Sequence, residues 1–109
     1  MALPTALKNK MLDIIKTDQN AIWLEDDQAN GVSDTKDFDL AQWGGFNDAS
    51  GGSIAFASPV VFSVGAGETV HNIVINAQGN EYYIYIPVTP ETFTNAGTYT
   101  LNSLTITLS

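Results

Sequence analysis

An antiparallel β-sandwich of the jelly-roll kind, carrying one amphipathic helix at its N-terminus, is the fold this sequence predicts. Three observations carry that reading. From Ser53 onward the chain is a succession of short apolar or alternating runs bounded by Gly, Pro or Asn. With the runs before Ser53, their spacing provides for seven or eight strands, as double-sheet architectures require. Only the N-terminal segment shows an apolar period near 3.6. The 109 residues fit a single domain, read as a helix (1–18), a loop-rich region with short strands (19–52) and a β-rich core (53–109).

In chain order, Pro4 suits the first turn of a helix, where its missing N–H costs nothing. Leu7, Met11, Ile14 and Ile15 then follow at i, i+4, i+7 and i+8, which predicts a helix from Pro4 to about Lys16. Ala21-Ile22-Trp23-Leu24 is a short strand. Glu25 to Asp37 is acidic and turn-rich around Asn30-Gly31 and reads as a long loop. Phe38 and Leu40 fall on one face of a further brief strand, and Gly44-Gly45 and Asn47 to Gly52 read as flexible connectors.

Ile54-Ala55-Phe56 and Val60 to Val64 flank Ser58-Pro59, with a turn at Gly65 to Glu68. Thr69 to Ala77 alternates, with His71, Ile73 and Ile75 on one face. A hairpin at Gln78-Gly79-Asn80 leads into Glu81 to Val88, where Tyr82, Ile84, Ile86 and Val88 share a face and Tyr83, Tyr85 and Pro87 take the other. Tyr99 and Leu101 differ in parity from Leu104, Ile106 and Leu108, so a break is expected at Asn102-Ser103.

Composition narrows the function. Four lysines, no arginine and twelve acids give a net charge of −8. All the lysines (Lys8, Lys10, Lys16, Lys36) precede Asp37, so no basic surface suited to nucleic acid is expected. No apolar run is long enough to span a bilayer, and no membrane partner is expected. Cysteine is absent, which removes disulfides, thiolate metal sites and cysteine nucleophiles. The opening residues lack the basic-then-apolar order of a signal peptide, so synthesis in the cytosol is expected.

Catalytic chemistry has little to draw on. His71 is the sole histidine, on an apolar strand, and none of the nucleophile, phosphate-loop or zinc-protease motifs is present. No enzyme activity and no cofactor are expected. The one metal candidate is the acidic loop. With Gly31 at the sixth position of a calcium loop, Asp26, Asn30, Asp34 and Asp37 fall at oxygen-ligand positions, although Gln28 and the lack of a closing Glu depart from that pattern. A solvated acidic loop is the default.

Tyr83 and Tyr85 alternate away from Ile84 and Ile86, and strands without lysine lack the usual guards of an exposed edge. A subunit interface is therefore expected at Tyr83 and Tyr85, or at the last strand with Leu104, Ile106 and Leu108. The helix, with Leu7, Met11, Ile14 and Ile15 and most of the lysines, is expected to be a docking element that could be removed without unfolding the rest.

Three segments resemble a known family. The opening Ala2-Leu3-Pro4-Thr5-Ala6-Leu7-Lys8-Asn9-Lys10-Met11-Leu12-Asp13, the stretch from Gly51-Gly52-Ser53 through Val60 to Val70, and the ending Ala96-Gly97-Thr98-Tyr99-Thr100-Leu101 with Ser103 to Ser109 are similar to small tailed-bacteriophage virion proteins. These are described as minor tail, tail-fibre-like or head-decoration proteins. The chain departs from that pattern between Glu25 and Trp43, which here is long and acidic. The resemblance implies a virion structural protein that acts by assembling, bound to phage capsid or tail proteins and without catalytic residues; with the unguarded strands, a homo-oligomer is expected, a trimer before other numbers. The alternative is a tail-tip glycan- or receptor-binding module. Head and tail locations stay equally open.

Overall fold

The computed structural model describes residues 2–17, 19–56, 59–77 and 82–108. The hairpin turn expected at 78–80 lies outside the described residues. Among the described residues one helix, α1 (Thr5–Thr17), precedes eight strands: β1 (Gln19–Glu25), β2 (Lys36–Asp37), β3 (Ser53–Ala55), β4 (Val60–Val64), β5 (Thr69–Ala77), β6 (Tyr82–Thr92), β7 (Gly97–Leu101) and β8 (Thr105–Thr107). The protein is mainly β, and every strand pairing among the described residues is antiparallel. No described helix is long and apolar enough to cross a membrane.

Four strands form one sheet in the order β2-β1-β5-β6, while β3-β8 and β4-β7 form two-stranded ribbons. Register assigns the faces of the large sheet, because residues directly opposite on antiparallel strands point to the same side. Ile22, Ile75 and Ile84 make one row and Leu24, Ile73 and Ile86 the next. These rows face the core, where they meet Ile54, Val60, Phe62, Val64 and Leu101 of the ribbons and Leu12 of the helix. In β4 the alternation is complete: Val60, Phe62 and Val64 are buried, and Val61 and Ser63 are exposed.

Several expectations are corrected. Phe38 and Leu40 stand in a turn, both exposed, closed by Gln42 N–H donating to Asp37 O. The core residues of β5 are Val70, Ile73 and Ile75, without His71. The cause lies across the sheet. Val70 faces Glu91 while Asn72 faces Pro87, so β6 inserts Val88, Thr89 and Pro90 opposite His71 alone and the alternation breaks there. Tyr82 is exposed although it shares parity with Ile84.

The connectors at 44–52 are anchored. Trp43, Phe46 and Phe56 form a buried aromatic cluster, with Trp43 edge-on to both phenylalanines at centroid separations of 5.7 and 5.4 Å. Phe46 bridges Phe56, and Asn47 N–H donates to Ala55 O at 2.8 Å.

The helix is also part of the core. Leu12 is 1% exposed, and Ile15 packs on the core beside it. Polar side chains on the same side hold the 48–52 segment: Ala49 N–H donates to Asp13 Oδ1 and Gly52 N–H to Asn9 Oδ1, both at 2.8 Å, and Lys16 pairs with Asp48. Gly52, at φ 80°, lies so close to Lys8 that a Cβ there would stand 3.3 Å from its Cδ. An element with a fully buried leucine and two backbone clamps is not a removable appendage, which corrects that expectation.

Candidate aromatic contact face

The outer face of the large sheet collects the side chains of interest. The same register that sends Ile22 and Leu24 inward sends Ala21, Trp23 and Glu25 outward on β1. On the neighbouring strands Asp37 lies opposite Ala21, Asn76 joins Ala21 to Tyr83, Val74 joins Trp23 to Tyr85, and Asn72 joins Glu25 to Pro87. Tyr83 and Tyr85 are exposed, and Trp23 is half-buried. Val74 between them is fully covered although it points away from the core. Trp23 meets Tyr83 edge-to-face at a centroid distance of 6.2 Å.

Polar groups hold this face in place. Trp23 Nε1 donates to Glu25 Oε2 at 2.7 Å, which orients the indole. Glu25 is 93% buried (7% exposed), and its Oε1 has no hydrogen-bond partner among the described residues. A half-satisfied buried carboxylate is costly in an element that has no other use for it. Asn76, also buried, accepts the Ala21 N–H on Oδ1 at 2.7 Å, where the β1 register slips.

The carboxylates of the acidic loop satisfy nearby donors. Asp26 Oδ1 accepts the backbone N–H groups of Gln28 and Asn30, both at 2.9 Å, and Oδ2 accepts Asn30 Nδ2. The Asn30 and Gln28 backbone donors, helped by the Asn30 side chain and the nearby His71, hold its carboxyl below the usual range against some desolvation. Asp34 binds elsewhere, accepting Ser63 N–H on Oδ1 at 2.8 Å and pairing with Lys36 through Oδ2 at 2.7 Å. Partial burial pushes its pKa up, but the Lys36 and Ser63 bonds together outweigh this and lower it. Asp37 Oδ1 accepts Asp39 N–H.

Asp26, Asn30, Asp34 and Asp37 are thus spent in three separate local networks. Among the described residues no group of three His, Cys, Asp or Glu is placed to hold a metal. Asp34 instead ties the long loop to β4, aided by a bridge between Ser33 and Val64.

The other expected site residues divide. Leu104, Ile106 and Leu108 are half-buried and pack against the core. Leu7, Met11 and Ile14 are exposed, while Ile15 is half-buried and packs against the core. His71 is half-buried, and its Nδ1 has no hydrogen-bond partner among the described residues. Sequence reasoning missed Glu25 and the inclusion of Trp23. Their i, i+2 spacing was a signal, but only the β1–β5–β6 order brings them to the tyrosines.

No family model, no curated protein and no solved structure matches this chain.

Proposed function

We propose that this chain is a non-catalytic, self-assembling structural protein of a bacteriophage virion, docked on the capsid or tail surface in a decoration or tail-accessory role. The observation that carries the reading is the outer sheet face, where Trp23, Tyr83 and Tyr85 stand together at the surface with no lysine among them. Apolar aromatic area of this kind is characteristic of contact surfaces. β6, eleven residues long, is also an edge strand of its sheet, with Pro87 and Pro90 as its chief guards.

The finer fold we propose is a jelly-roll sandwich. The pairings β5–β6, β4–β7 and β3–β8 are nested one outside the other, as they are when one long hairpin is wound up. The sequence resemblance to virion proteins supports the same architecture, a homo-oligomeric state with a trimer favoured, and location in the particle. A cement or accessory protein acts by mass action: binding only the assembled shell stabilises it by the binding free energy of each copy.

Light scattering at micromolar concentration tests this. A mass that is a multiple of 11.7 kDa is expected, and a single-chain mass throughout overturns it. One observation favours a second reading. Trp23 and Tyr83 beside Glu25 and Asn72 form an aromatic and polar arrangement on which a sugar ring could stack, as a tail-tip glycan- or receptor-binding module requires. Retention on a glycan array by a strictly monomeric chain is the outcome that selects it.

A further inference from the structure

We infer that the exposed side of α1 in one copy docks on the outer sheet face of the next, so that chains join head to tail. This rests on the self-assembly reading and names the two halves of its contact. Leu7, Lys10, Met11 and Ile14 lie at i, i+3, i+4 and i+7, a single stripe. Leu7, Met11 and Ile14 are 44%, 43% and 53% exposed, and Lys10 is exposed among them. Since Leu12, Asn9 and Asp13 fasten the opposite side, the stripe is presented on a rigid support.

The sheet face is its chemical complement. It offers Tyr83, Tyr85, Pro87 and the half-buried Trp23 as apolar area and Asp37 as an acid, with the buried Glu25 carboxyl holding the indole in place, and among the described residues no cation. The helix stripe offers three apolar side chains and one ammonium. Methionine sulfur packs favourably on aromatic rings, and an ammonium is attracted both to their faces and to carboxylates. Dimensions agree as well. The thirteen-residue helix is about 20 Å long and ~10 Å wide. β5 runs for about 30 Å, and the three strands β1, β5 and β6 span ~10 Å between outer axes.

Because the two patches are different surfaces of one chain, the contact is heterologous. Such contacts close into a ring or run on as a filament, and the favoured trimer is the ring.

Two variants test the inference: Met11→Asp spoils the helix stripe and Tyr85→Asp the sheet face, both at exposed positions. Each alone is expected to be monomeric where the unmodified chain assembles. Mixed in equal amounts they are expected to form dimers that grow no further, since one supplies only a sheet face and the other only a helix. Lys10→Glu is expected to raise the half-assembly concentration about tenfold at low salt, a second readout if Tyr85→Asp lacks the native circular dichroism spectrum. If the unmodified chain assembles and folded Met11→Asp alone still assembles, as pairing through the β6 edge would give, or if the two folded variants stay monomeric together, head-to-tail docking is wrong while self-assembly stands. If the unmodified chain is monomeric, both readings fall.

Discussion

Leu12→Ala is expected to lower the stability of the fold by about 2–5 kcal/mol, whereas Met11→Ala beside it changes stability by no more than about 0.5 kcal/mol. The helix carries two apolar sides, and these substitutions separate them. Leu12 is 1% exposed and meets the core, so truncating it removes buried methyl groups and leaves a cavity beneath a clamped helix that cannot collapse onto the gap. Met11 is 43% exposed and stands outside the core cluster. Urea denaturation of the two variants under conditions that keep them monomeric measures the contrast. Equal losses would mean that the exposed stripe also supports the core, and it would then be a poor candidate for docking.

Trp43→Ala carries the other large effect, about 3–5 kcal/mol. The segment from Phe38 to Gly52 has no regular strand or helix, and its order depends on the stacking of Trp43, Phe46 and Phe56 and on the Phe46–Phe56 bridge. Removing the indole takes away the ring that contacts both phenylalanines. The same site offers a control, because Trp43 Nε1 is buried with no acceptor among the described residues. Trp43→Phe shrinks the ring but also removes that stranded N–H, so a cost under about 1.5 kcal/mol is expected. Chemical denaturation gives the energies, and near-ultraviolet circular dichroism reports whether the cluster survives.

The elements were legible in the sequence where local pattern decides them. Val60 to Val64 reads as a half-buried strand from alternation alone, and α1 from its period. The exposure of Tyr83 and Tyr85 followed from their parity against Ile84 and Ile86. Where the reading failed, the deciding contact was distant. His71 loses its place among the core residues of β5 because extra residues sit on β6, and nothing within β5 announces that. The helix has two stripes of similar period. Which one turns inward is set by Asn9 and Asp13 binding a segment some forty residues away. Phe38 and Leu40 look like a strand, yet Gln42 closes a turn across them.

The candidate face shows the same division. Its tyrosines could be read locally, whereas Trp23 and Glu25 join them only because β5 lies between β1 and β6. The calcium spacing of Asp26, Asn30, Asp34 and Asp37 was matched in number but not in space. Asp26 and Asn30 close their own turn, and Asp34 is drawn to Ser63 and Lys36. Side-chain acceptors satisfy the nearest backbone donors first, and a ligand spacing in sequence does not override that.

Surface oxidation footprinting of the intact chain, at concentrations below and above its assembly threshold, tests most directly whether the aromatic sheet face is the contact surface. Tyr83 and Tyr85 are expected to lose reactivity as complexes form, with Met11 protected in parallel, while exposed Leu40 and Phe38 in the turn keep theirs. Unchanged labelling of both tyrosines in a sample shown to be assembled would place the contact elsewhere on the molecule.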